Sequence, residues 1–257
     1  MTFRISIVIP CVVVHHLDPH TGIPFMPHMA AHLAGMLNKL GHELSVIDCF
    51  GLQPHNRRII DNFMLLGVDE DWVVDQLAGK SDLVFLYCRT VEDLISTQRL
   101  ARSIKARCPE VKLCYFENTQ SVNSFSLKVL SRELLAEAGH AAVFGEPETR
   151  AESIVRGLLV DPELLPSIAG IAYTTRLNEV YLTPDASPNH HLDDLPLPFW
   201  EKSARGILDC KFCSRAKGEK EVPAASDVSR LSLPLLFLYC ADNEPRLESA
   251  VRETRGG

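Results

Sequence analysis

The residues best placed to do chemistry fall in five clusters. The first is His15-His16-Leu17-Asp18-Pro19-His20-Thr21-Gly22, the second Cys88-Arg89-Thr90-Val91-Glu92, and the third Glu117-Asn118-Thr119-Gln120-Ser121. Gly145-Glu146-Pro147-Glu148 is the fourth and Cys210-Lys211-Phe212-Cys213 the fifth. The first four are rich in amide, hydroxyl and charged groups and lead into segments of helical period. Backbone N–H groups at helix starts, with such side chains beside them, suit a large ligand carrying amides, hydroxyls or phosphate. Asn, Ser, Thr and Asp at helix starts also serve as ordinary N-caps. A Cys-x-x-Cys pair on its own is compatible with zinc, a redox couple or no site at all. His28 and His32, four apart, share one helix face and could hold a metal, yet no Glu follows His28 and no third ligand is evident. His190-His191 sits in a Pro-rich stretch and reads as solvated.

The elements that must position these clusters are legible. Short apolar, β-rich runs over residues 5–9, 44–48, 83–87, 111–116 and 141–144 do not alternate apolar with polar, so each is expected to be buried on both faces, as in a parallel sheet covered by helices. Between them lie helical stripes: Met29, Leu33, Met36, Leu37 and Leu40, stopped by Gly41; Leu94, Leu100, Ala101 and Ile104, stopped near Pro109; Leu127, Leu130, Leu134 and Leu135, stopped by Gly139. A further helix starts at Pro147 and runs to residue 159, and the long link over 49–81 contains one over 69–77. Strand then helix, repeated five times in about 160 residues, predicts a doubly wound α/β domain, flavodoxin-like or Rossmann-like, around a five-stranded, mainly parallel sheet. Residues 168–174 and 179–183 predict a small β-hairpin extension around Arg176-Leu177-Asn178. A Pro-rich linker follows, and then an irregular C-terminal tail. The expected division is 1–160, 161–200 and 201–257. In such a sheet the ligand lies beyond the carboxyl ends of the strands, where the first four clusters fall.

Composition narrows the class. With 257 residues, 46% hydrophobic and 23% charged, the chain can bury a core. A formal net charge of −7 gives no reason to expect nucleic acid or an anionic membrane as a partner. The run from Ile5 to Val14 imitates a signal peptide. No small-residue cleavage site follows it, and it is too short and β-branched to span a bilayer. Of eight Cys, Cys11, Cys49, Cys88 and Cys114 lie inside apolar runs. The expectation is a cytoplasmic protein with reduced thiols.

The order of these features resembles the N-terminal cobalamin-binding domain of cobalamin-dependent radical S-adenosylmethionine enzymes. The resemblance rests on an apolar first strand ending in Pro, the helix Met29-Ala30-Ala31-His32-Leu33-Ala34, Gly41-His42-Glu43-Leu44-Ser45-Val46-Ile47-Asp48, and the helix end and strand over 105–112. Gly145-Glu146-Pro147-Glu148, Ile168-Ala169-Gly170-Ile171-Ala172-Tyr173 and Leu192-Asp193-Asp194-Leu195-Pro196-Leu197-Pro198 follow in the family's order. It covers about residues 3 to 215. It implies cobalamin held by the four loops, through Asp18, His20, Thr21, Gly22, Arg89, Thr90, Glu117, Asn118, Gln120, Gly145 and Glu146. Methyl-transferring cobalamin proteins carry Asp-x-His-x-x-Gly where this chain has Asp18-x-His20-x-Gly22. There the His coordinates cobalt and the Asp orients it, whereas the radical enzymes usually leave that His out. Phe116-Glu117 stands where cobalamin folds often carry Gly-Gly, which lets backbone approach the nucleotide tail.

By the same resemblance, Cys210 and Cys213 match two of the three thiolates that hold a 4Fe–4S cluster, whose open iron chelates S-adenosylmethionine. Gly206 stands in place of the third. The family's radical domain is a partial barrel of roughly 200 residues, and 44 residues follow Cys213. The expectation is a cobalamin-binding-type domain joined to a truncated or degenerate start of a radical domain. The family's reaction is radical methyl transfer or related carbon-centred chemistry, and no turnover is expected from these 257 residues. A non-catalytic ligand-binding domain, or a vestigial interaction domain that binds no cobalamin, is the alternative.

Overall fold

A computed structural model describes residues 1–15, 27–119, 126–188 and 194–199, all within one unit, Met1–Gly206. Its first strand, β1 (Arg4–Ile9), is followed across Pro10-Cys11 by β2 (Val12–His15), which belongs to a different sheet. Proline has no N–H to give a ladder, so the apolar run from Ile5 to Val14 breaks at Pro10. Helix α1 (His28–Lys39) and strand β3 (Glu43–Asp48) come next. Gly41, at φ +79°, turns the chain after α1, and the N–H of His42 reaches back to the carbonyl of Leu37. The short α2 (Cys49–Leu52) leads to the hairpin of β4 (Arg57–Ile60) and β5 (Phe63–Leu66), and then to α3 (Glu70–Leu77), capped by the Asp69 carboxylate. The rest runs β6 (Leu83–Cys88), α4 (Leu94–Arg107), β7 (Lys112–Glu117), α5 (Leu127–Glu137), β8 (Ala141–Val143), a 3-10 turn over Glu148–Arg150, α6 (Ala151–Leu159), a 3-10 segment over Pro162–Ser167, β9 (Ile171–Thr174) and β10 (Val180–Leu182).

The main sheet has seven strands in the order β10-β9-β8-β7-β6-β1-β3. The five expected strands are all present and mutually parallel; β9 and β10 add to the β8 edge in antiparallel sense. The expectation of five strands is thereby corrected. The predicted hairpin exists, but its first strand pairs with β8 (Ala142 opposite Ala172), so it enlarges the sheet. Three further strands, β2, β5 and β4, form a separate antiparallel sheet that the sequence reading did not contain.

Alternate residues of each central strand feed opposite cores. Ile5, Ile7, Leu83, Phe85 and Tyr87 pack with α1 and α6, while Val8, Val84, Leu86 and Cys88 pack with α3, α4 and α5. The chain reaches β3 through α1 on one face of the sheet and returns past β1 to β6 through α3 on the other. Burying each such side chain contributes about 1.5–3 kcal/mol. Among the described residues no helix is long and apolar enough to cross a membrane.

Candidate functional site

With β1 at the reversal of strand order, the chain leaves β1 for β3 on one side and returns to β6 on the other. In open α/β sheets such a reversal is where a crevice for ligands lies beyond the strand ends, here the carboxyl ends of β1 and β6. The residues that end these strands are Ile9, Asp48 and Cys88, with Glu117 one strand further.

Arg89 and Thr90 leave β6 at this crevice, both buried. They converge on Asp93, whose carboxylate the sequence reading passed over. Its Oδ2 accepts from Arg89 Nε at 2.7 Å, from Arg89 Nη2 at 2.6 Å and from Thr90 Oγ1 at 2.9 Å. Its Oδ1 accepts the Val13 backbone N–H at 2.8 Å, tying β2 to the start of α4. Asp93 occupies the N-cap position of α4, yet its side chain makes no capping bond. The ordinary N-cap reading fails here because the carboxylate has turned to a guanidinium instead. The one signal in the sequence was the four-residue spacing of Arg89 and Asp93. Asn118 completes the cluster: its side-chain amide donates to the Arg89 carbonyl at 3.2 Å, and its N–H donates to the Cys88 carbonyl at 3.1 Å. Asp48, buried at the end of β3, accepts from the Gly51 N–H at 3.0 Å. Burial pushes its carboxyl up, and the Arg89 charge partly offsets this.

Glu117 forms a second centre. Its Oε2 accepts from the Leu127 N–H at 2.8 Å and its Oε1 from the Gly145 N–H at 2.6 Å. Ser126, the N-cap residue of α5, makes no side-chain cap, so Glu117 caps that helix from the neighbouring strand end. Gly145 and Glu146 lie in the loop after β8. Arg150, also missed in the sequence, pins this loop: Nη2 donates to the carbonyls of Phe144 (2.6 Å) and Glu146 (2.7 Å), and Nη1 to those of Ala169 (3.1 Å) and Gly170 (2.9 Å).

The structure therefore gathers Arg89, Thr90 and Asn118 in one buried cluster and joins Glu117 to Gly145. Asp18, His20, Thr21, Gly22, Gln120, His190, His191, Cys210 and Cys213 lie outside the described residues. His28 and His32 both sit on α1, where burial lowers both imidazoles and each His32 charge further disfavours one on His28. Among the described residues no group of three or more His, Cys, Asp or Glu could hold a metal ion.

No family model matches the chain, and no curated protein does. A solved structure does: the cobalamin-dependent S-adenosylmethionine radical enzyme OxsB, with aqua-cobalamin and S-adenosylmethionine bound, superposes with a TM-score of 0.56 at 14% identity. The fold is shared. The match covers 80% of this chain and 25% of that one, so the chain spans about a quarter of the enzyme it resembles.

The residues at the strand ends give cobalamin a mixed fit. Beyond β1 and β6 the polar side chains of Arg89, Thr90 and Asn118 are of the kind that hold a ligand rich in amides and phosphate. Beside β7, however, the two N–H groups at Leu127 and Gly145 already serve the Glu117 carboxylate, which stands where a Gly-Gly pair would leave room.

Proposed function

We propose that this chain carries the cofactor-binding α/β domain of a radical enzyme of the cobalamin-dependent S-adenosylmethionine type. The ligand lies over the carboxyl ends of β1 and β6. The observation that carries the reading is the shared fold with OxsB, whose structure holds cobalamin, joined to a strand-order reversal that puts Arg89, Thr90 and Asn118 at the crevice. Asp93 holds Arg89 and Thr90 still, so the rim of the crevice is fixed before any ligand arrives. Glu117 keeps the space between β7 and the start of α5 closed, so the ligand stays on the outer side of the strand ends. Asp18, His20, Thr21, Gly22 and Gln120 supply the remaining contacts, and Cys210 and Cys213 belong to the segment that leads toward an iron–sulfur cluster. When bound, cobalamin supplies a methyl-carrying cobalt for transfer to carbon.

A second reading has one observation in its favour. The N–H donors beside β7 are taken by Glu117, which suits a domain that binds a partner or another ligand and no cobalamin.

An absorption spectrum separates the two. The purified chain is incubated with hydroxocobalamin and desalted. Retained cobalamin bands are expected, and a band position that moves in His20→Ala makes His20 the cobalt ligand. A folded but colourless protein establishes the second reading.

A further inference from the structure

The central strands end in a level row. Glu117, last in β7, pairs in register with Cys88, last in β6, and Asp48, last in β3, pairs with Ile9, last in β1. Neighbouring strands lie about 4.8 Å apart, so the backbones of β7 and β3 flank β6 and β1 at a separation of about 14 Å. A macrocycle lying over β1 and β6 therefore meets a carboxyl group on either side. Each of these already holds the backbone N–H groups an anion would use: Glu117 those of Leu127 (2.8 Å) and Gly145 (2.6 Å), Asp48 that of Gly51 (3.0 Å). Arg89 by itself would suit a phosphate. Among the described residues that end these four strands or directly follow them, it is the one guanidinium or ammonium, and Asp93 already answers its charge at 2.6 and 2.7 Å. The Glu117 arrangement is the more telling, because three segments build it. Two N–H groups converge from the start of an 11-residue helix and from the loop after β8, a pairing that favours an oxyanion, and the protein fills it with its own. Arg150 holds that loop by the carbonyls of Phe144 and Glu146, so the carboxylate rests on a fixed seat. A second anion brought beside it finds its donors taken and a like charge in place.

Cobalamin brings such an anion. Its nucleotide is joined to the corrin ring through a phosphodiester, whereas its other peripheral groups are uncharged amides. We propose that the crevice prefers a corrinoid lacking the nucleotide, and that Glu117 sets this preference by opposing the phosphodiester. The inference rests on the reading of the crevice as a corrinoid site and narrows the ligand within that class. A corrinoid without the nucleotide keeps the cobalt and the amides, so nothing that the rim could hold is lost with the tail. Glu117 acts here as a specificity-determining residue, through its charge and through the two N–H groups it withholds.

The test is equilibrium dialysis of the full chain against hydroxocobalamin and, separately, against cobinamide with water and hydroxide on cobalt, bound corrinoid being read from its absorption bands. Both are expected to bind, cobinamide with a dissociation constant about tenfold lower, the size of one like-charge contact near a protein surface. Raising salt from about 0.05 M to about 0.5 M should shrink that ratio, because screening weakens the repulsion. Glu117→Gly removes the carboxylate and frees the Leu127 and Gly145 N–H groups. It should tighten cobalamin about tenfold and leave cobinamide within about twofold. Glu117→Gln keeps the size of the side chain and drops its charge, and should move the ratio in the same direction, which a purely steric block would not. Cobalamin bound by the parent as tightly as cobinamide overturns the proposal while the corrinoid reading stands, as does a ratio that neither variant changes. Binding of neither corrinoid overturns that reading and this inference with it. The parent ratio and its salt dependence decide the matter even where a variant fails to fold.

Discussion

Asp93 shows how much one side chain can hold. Arg89 and Asp93 are a buried ion pair, their side chains 9% and 3% exposed. Changing Asp93 to Asn keeps the shape but turns a donor toward the guanidinium and leaves its charge unpaired. Breaking one side of a buried pair costs about 3–5 kcal/mol, so urea unfolding of Asp93→Asn should show a loss of that size. The double variant Asp93→Asn/Arg89→Met should recover part of it, since no buried charge remains. A loss under about 1 kcal/mol in the single variant would remove Asp93 from its role as anchor. His140 makes a different kind of prediction. Burial, with Lys112 and Lys105 nearby, lowers its imidazole to about 4, and Nδ1 accepts the Leu113 N–H at 3.1 Å. The fold thus uses the neutral ring. An unfolded chain takes up this proton near pH 6.5, the folded one only near 4. The contribution is full above the unfolded value and declines as pH falls through that window. His140→Gln, with an oxygen to accept the same bond, should lose less stability than the parent between about pH 6.5 and 4.5, measured by denaturant midpoints. Equal losses would show that the ring does not titrate in this way.

At the scale of elements, Arg150 links the loop after β8 to the loop before β9 through four carbonyls, and so fixes the Gly145 N–H on which Glu117 leans. Charge-assisted bonds are worth about 1.5–3 kcal/mol each and do not add fully. Arg150→Met is expected to cost about 3 kcal/mol and to speed hydrogen exchange at Gly145. Arg150→Lys should not rescue it, because an ammonium cannot span two carbonyl pairs as a planar fork does. Unchanged exchange at Gly145 would mean that Glu117 holds the loop without help. The elements also show where the sequence speaks. The five parallel strands were legible because burial on both faces leaves near-continuous apolar runs, and α3 because Asp69 caps it. Strands β2, β4 and β5 were not, since β2 merges with β1 in the apolar run across Pro10 and β4 and β5 lie inside the long link over 49–81, where only a helix stood out. Arg89, Thr90, Glu117 and Asn118 could be picked out because strand ends in such sheets face the ligand. Asp93 and Arg150 could not, because one looks like a helix cap and the other like a surface charge until the loops close around them.

For the molecule as a whole, strand order is the fact that matters most, and no local pattern encodes it. It depends on which crossovers bury the most surface once all the helices are present. The order β3-β1-β6 sets β1 between two parallel neighbours, with Arg4 paired to Asp82 across 78 positions and Phe3 to His42 across 39. The cost of closing such loops grows only slowly with length, so it falls on the folding rate more than on stability. β1 leaves the ribosome before the other strands of its sheet, and five of its six residues are buried in the finished protein. At typical synthesis rates its second neighbour, β6, emerges on the order of ten seconds later. During that interval an apolar strand with open hydrogen-bonding edges is available to any passing chain. A strand that ends enclosed on both faces therefore begins as an exposed aggregation site, and its protection while the chain is being made must come from the ribosome surface or a chaperone.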